Sequence, residues 1–139
     1  MRNAASLATD NITELLTKII EFTHARQKIL TQNMNNVHSQ GFIPKDLNVD
    51  EFSEVLKDAV SEHIRNQRLL LRDTKNIKFG EEGRIEIRAI PDKYAKEVLE
   101  NNPDEYIELQ INKLLENSLN QRVAAELLRQ KQGTASVFD

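Results

Sequence analysis

The side chains that could carry chemistry in this chain are three histidines, a scatter of carboxylates and a dense group of side-chain amides. His24, His38 and His63 stand 14 and 25 positions apart. A metal site on a helix needs ligands one turn apart, and none of the three has a second ligand at i+3 or i+4, nor is there a His-Glu-x-x-His. Glu62 is adjacent to His63, and neighbours in sequence diverge on a helix. Glu97, Glu100, Glu105 and Glu108 sit among lysines and amides and read as a solvated face, whereas acid–base catalysis needs carboxylates that are buried and convergent. Gly80-Glu81-Glu82-Gly83 would repel phosphate and reads as a turn. No serine lies in a nucleophile elbow, and the absence of cysteine removes thiolate sites and disulfides. No catalytic residue, cofactor or metal is therefore expected, and an enzymatic reading lacks any convergent reactive group.

The amides are different. Asn33, Asn35 and Asn36 are three asparagines within four positions. An amide that leaves water must find both a donor and an acceptor, so it fixes a register at some cost in stability. Asn33 and Asn36 are read either as bridges to neighbouring subunits or as ties for the following turn. The plainer reading is a fraying helix end, since asparagine favours caps and turns.

The elements that position these groups follow from punctuation. Proline occurs only at 44, 91 and 103 and glycine only at 41, 80, 83 and 133, so residues 12–40 and 104–132 contain neither breaker. The first segment opens with Asn11 as N-cap and Glu14 three residues on. Its stripe is Ile12, Leu15, Leu16, Ile19 and Ile20, thins through His24 and Arg26, and resumes at Ile29, Leu30, Met34 and Val37. Gly41 suits its C′ position. The last segment opens with Asn102 as cap, Pro103 at the first helical position and Asp104 and Glu105 in the first turn. Its stripe is Ile107, Ile111, Leu114, Leu115, Leu119, Val123, Leu127 and Leu128, and Gly133 ends it. A third helix over Val49 to about Gln67 is capped by Asn48, with Glu51 closing the box and Leu47 and Phe52 as a hydrophobic staple. Ile77 and Phe79, then Ile85 and Ile87, alternate with charged residues and predict a short β-hairpin. Residues 91–100 form one short helix. The opening decapeptide and residues 134–139 read as frayed.

A chain of 139 residues has the length of one ordinary domain. With 29% charged residues, 39% apolar residues and no tryptophan, the balance favours long helices with exposed surface over a bulky core. A net charge of −3 gives no electrostatic footprint for nucleic acid. No apolar run is long enough for a membrane span, and the polar N-terminus lacks the apolar core of a cleaved signal.

Asn33-x-Asn35-Asn36-x-x-Ser39-x-Gly41-Phe42 resembles the N-terminal signature of the flagellar axial proteins (rod, hook and hook-associated proteins), roughly Asn-x-Ala-Asn-x-x-Thr-Pro-Gly-Tyr. Asn33, Asn36 and Gly41 match in type, and Ser39 and Phe42 stand for Thr and Tyr. Asn35 replaces Ala and Gln40 replaces Pro. Arg26-Gln27-Lys28-Ile29-Leu30 before it, Lys45-Asp46-Leu47 with Phe52 and Leu56 after it, and Lys113-Leu114-Leu115-Glu116-Asn117-Ser118-Leu119 near the C-terminus are similar to the proximal-rod (FlgB-type) branch. Ala124, Leu127, Leu128 and Lys131 continue that likeness. The resemblance covers both ends of the chain and little of its middle.

The resemblance implies a non-enzymatic bacterial structural subunit. It would be exported from the cytoplasm without a cleaved signal peptide and assembled in the periplasmic rod of the flagellar basal body, where it transmits torque. Its implied partners are other rod proteins, the membrane-ring and export-gate base, and itself, in a homo- or hetero-oligomer, with no nucleic acid and no lipid-spanning segment. The expected fold is mainly α: long N- and C-terminal helices packing as an antiparallel, coiled-coil hairpin, with a shorter middle helix and a small β-hairpin. The expected organisation is one elongated domain, divided as 1–10 flexible, 11–41 N-terminal helix, 42–101 middle region and 102–133 C-terminal helix. The expected interface comprises Ile12, Leu15, Leu16, Ile19, Leu30, Asn33, Asn36, Gly41, Phe42, Leu115, Asn117, Leu119, Leu127 and Leu128. The apolar stripes serve an intrachain two-helix core, an intermolecular coiled coil, or both at once. The competing class is a soluble helical adaptor or export chaperone that binds a partner through an apolar groove.

Overall fold

The computed structural model describes the backbone of residues 4–80 and 84–138 and the side chains of residues 11–80 and 84–133. It is mainly helical: α1 (Ala4–Asn35), β1 (Lys45–Asp46), α2 (Val49–Asn66), β2 (Ile77–Phe79), β3 (Ile85–Ile87), β4 (Ile90–Pro91), α3 (Lys93–Asn101) and α4 (Pro103–Phe138). The two long terminal helices pack together over most of the molecule. They run antiparallel, since Asn33 meets Gln110 while Thr23, ten residues earlier on α1, meets Asn117, seven residues later on α4.

Several boundaries differ from the sequence reading. The α1 helix starts at Ala4, seven residues before the expected cap at Asn11. The run Ala4-Ala5-Ser6-Leu7-Ala8 favours helix, and an interior asparagine costs less than about 1 kcal/mol relative to alanine. Freed from capping, the Asn11 amide donates to the Gln67 carbonyl at 3.2 Å and lies 3.4 Å from the His63 ring. The same helix stops at Asn35, before the expected end near residue 40. There the Asn36 amide donates to the Gln32 carbonyl and the Ser39 hydroxyl donates to Asn36 Oδ1. Side chains take over the bonding that another helical turn would need. Gly41, with φ of +78°, lies in the ensuing turn and is not the helix C′ residue. At the other end α4 continues through Gly133 to Phe138. A glycine costs a helix about 1 kcal/mol and no proline follows to stop it. Of the expected turn, Glu81, Glu82 and Gly83 lie outside the described residues.

The middle region forms as its pattern predicts, with two departures. Asn48 Oδ1 accepts from the Glu51 N–H and starts α2, and Leu47 and Phe52 are both buried in one cluster. The Glu51 carboxylate, however, does not close a capping box. It accepts from the Thr74 hydroxyl at 2.5 Å and from the Asn76 N–H and Nδ2 at 3.0 and 2.9 Å. Partial burial acts to raise its pKa, but these bonds outweigh that and hold it below the usual carboxylate value. The strand-leading segment is thereby stitched to α2. The hairpin pairs Ile77 with Ile87, Lys78 with Glu86 and Phe79 with Ile85. Its apolar face leans on α1 and α2, where Phe22 and Phe52 stack with ring centroids 4.1 Å apart. A two-stranded ribbon this short needs such support. A second ribbon, absent from the sequence reading, pairs Lys45 with Pro91 and Asp46 with Ile90. Asp92 then caps α3 by accepting from the Ala95 N–H.

Candidate functional site

The contact between α1 and α4 is built on residues spaced alternately three and four apart. On α1 these are Leu16, Ile19, Thr23, Arg26, Leu30 and Asn33, with Val37 just past its end, all buried or half-buried. On α4 they are Tyr106, Gln110, Lys113 and Asn117, followed seven residues on by Ala124. This is the spacing of a coiled-coil seam, but much of its content is polar.

Asn33 is the centre of the seam. Its Nδ2 donates to the Lys45 carbonyl at 2.7 Å and to Gln110 Oε1 at 3.0 Å, and its Oδ1 accepts from the Lys45 N–H at 3.1 Å. The amide thus bonds both backbone groups of Lys45, as a neighbouring strand would, at the residue where β1 begins. The Tyr106 hydroxyl donates to the Asn33 carbonyl at 2.8 Å. About two turns beyond Gln110 along α4, Asn117 donates to the Thr23 carbonyl at 2.7 Å. Polar groups at such positions tolerate few other alignments of the two helices, because any slip leaves buried donors unpaired. Burial, then the charge of Asp92, push the Tyr106 phenol up to about 12.

An ion-pair chain braces the same end. Arg26 grips both oxygens of Asp46 at 2.9 and 3.0 Å, and Lys113 bridges Asp46 at 3.1 Å and Asp92 at 2.6 Å. Four elements meet here: α1, β1, α4 and the start of α3. Burial works to raise the Asp46 pKa, but the guanidinium of Arg26 and the ammonium of Lys113 hold it below its usual value. Burial likewise works against the charge on Lys113, and the two carboxylates raise its pKa above the ordinary lysine value. Further along α1, Lys18 is buried between Glu14 and Glu21 at 3.2 Å from each.

The sequence-predicted interface residues divide into two groups. Leu15, Leu16, Leu30, Asn33 and Asn117 are buried within the single chain, and Ile12, Ile19, Asn36, Phe42 and Leu128 are half-buried. Leu115, Leu119 and Leu127 are exposed, as is Gly41. Of the apolar stripe expected on α4, Ile107, Leu114 and Leu128 are half-buried, but the other five residues lie outside the seam. Ile111, Leu115, Leu119, Val123 and Leu127 are between 41% and 64% exposed, while Gln110 and Asn117 are no more than 2% exposed. Those five follow a strict four-residue spacing, which gains 40° per step on a helix of 3.6 residues per turn and so winds across the outer face of α4 instead of keeping to α1. The seam uses the three–four alternation that stays on one face. Sequence reasoning missed Gln110, Lys113, Tyr106 and Asp92. The signal that finds them is this alternation, which is visible once polar residues are allowed into the pattern.

Beside the seam, α2 and α4 both run antiparallel to α1 and leave a groove between them. Its cavity volume is about 310 Å³; Leu16, Ile19 and Phe22 of α1 form the floor, with Leu56 on the α2 wall and Val123 and Leu127 on the α4 wall. Among the described residues no three His, Cys, Asp or Glu side chains gather as a metal site. Among them, too, no helix is long and apolar enough to cross a membrane. No family model, curated protein or solved structure matches the chain.

Proposed function

We propose that this chain is a non-enzymatic structural subunit of the proximal rod of the bacterial flagellar basal body, exported from the cytoplasm and joined to other rod proteins, the ring and export-gate base and its own copies through its terminal helices. The observation that carries the reading is the combination of the Asn33–Phe42 signature with an α4 stripe that the single chain leaves about half exposed. Five large apolar side chains exposed along one helix form a surface suited to protein contact. Long helices side by side share load across many small contacts, and the buried amides of the seam hold each subunit to one shape while it does so. In this reading Asn33 and Asn36 act as ties within the subunit: Asn33 holds the chain after the turn, and Asn36 holds the turn itself.

The test is fractionation of cells carrying a tagged chain. Recovery with purified basal bodies, and rings without rods in a deletion strain, is the expected result. A tagged chain confined to the cytosol, with rods intact in the deletion strain, overturns the assignment. That second outcome belongs to the adaptor or export-chaperone reading, which the open groove between α2 and α4 favours, since such a groove fits an amphipathic helix.

A further inference from the structure

We propose that the free chain forms an antiparallel homodimer through the C-terminal half of α4, with Val123 on the two-fold axis. Leu119, Val123 and Leu127 recur every fourth residue, so they form one ridge, and each is about half or more exposed. Val123 and Leu127 also wall the groove floored by Leu16 and Phe22, so the ridge and the groove are one continuous apolar surface. Charge decides the occupant and its direction. Glu116 and Lys131 lie at the two ends of this ridge, one acidic and one basic, and among the described residues neither has an ion-pair partner. A parallel copy would set Glu116 against Glu116 and Lys131 against Lys131. An antiparallel copy turned about Val123 sets Leu119 against Leu127 twice and brings each Glu116 within one residue of level with Lys131 of the second copy. It also opposes the two helix dipoles. The contact is isologous and closes at two subunits. Ile111 and Leu115 stay outside it. The pairing does not depend on membership of the rod, since it belongs to the free chain.

The chain has no cysteine, so single cysteines report geometry without background. In the full-length protein, Val123→Cys crosslinks to itself on mild oxidation. Leu119→Cys alone does so far more slowly, because its two copies are eight residues apart along the axis; mixed with Leu127→Cys it forms the heterodimer. Sedimentation velocity gives a dimer for the unaltered chain and a monomer for Val123→Asp, whose far-UV circular dichroism is unchanged at matched concentration. Glu116→Lys and Lys131→Glu each weaken the dimer by about tenfold, as expected for the loss of two exposed ion pairs and the gain of like charges, and the double variant restores it. A monomeric unaltered chain, an open polymer, or equal self-crosslinking at 119 and 123 overturns the proposal. None of these results bears on whether the tagged chain enters basal bodies.

Discussion

Between Tyr106 and Asn117, α4 meets α1 through hydrogen-bonded polar side chains, an ion-pair chain and little exposed loss. Between Ser118 and Gly133 the only buried side chain is Ala124, and Leu119, Val123 and Leu127 are each about half or more exposed. One helix thus holds two kinds of surface on the same partner. The polar half sets alignment, since each amide accepts few neighbours. The apolar half supplies adhesion with little preference for where it is placed. A subunit that needs one fixed internal shape and a surface for others can divide the two tasks along a single helix.

The comparison is broken most severely at Asn33. Asn33→Leu leaves Gln110 Oε1 and both backbone groups of Lys45 without their partner, and stability falls by about 3 kcal/mol in urea unfolding followed by circular dichroism. Lys113→Met removes the link between Asp46 and Asp92 but leaves Asp46 with Arg26, so a loss of about 1–2 kcal/mol is expected in the same measurement.

Titration sharpens the contrast, because the polar half should respond at both extremes of pH. The folded chain holds the Asp46 pKa below the ordinary 3.8, so its contribution is complete above that value and is lost as pH falls below it. The folded chain holds the Tyr106 proton up to about 12, whereas the unfolded chain releases it near 10.0, so that contribution is complete below 10.0 and disappears between the two. The Lys113 pKa is raised above 10.5, and its contribution likewise fades as pH climbs past that point. Melting temperature against pH should therefore drop at both ends, and Tyr106→Phe should flatten the alkaline limb. The smallest effect is expected on the outer ridge. Leu119→Ser should change the stability of the monomer by less than about 0.5 kcal/mol, measured on a chain held monomeric by Val123→Asp.

How much of this was legible depended on whether local chemistry or distant partners decided the outcome. The cap at Asn48, the staple of Leu47 and Phe52, the two hairpin strands and the start of α4 were all readable, because each rests on residues within a few positions. The opposite holds for Glu51. The sequence places it ideally for a capping box, yet Thr74 and Asn76, more than twenty positions away, offer its carboxylate three hydrogen bonds. The seam face of α4 was misread for the same reason. Reading apolar residues as buried selects Leu115 and Leu119, while the buried residues are Gln110 and Asn117, whose partners lie on α1. Burial of an amide is decided by what waits across the interface, so the alternation on α4 shows only when its polar residues are counted with the apolar ones.

The grip of Asn33 on Lys45 has a chemical lifetime as well as a strength. Slow hydrolysis of that carboxamide to a carboxylate would preserve its outline and its acceptor while deleting both donor bonds. It would also set a negative charge against the carbonyl oxygens it used to serve. One ageing event, invisible in size and worth a single dalton, would loosen the end of the bundle where four elements converge.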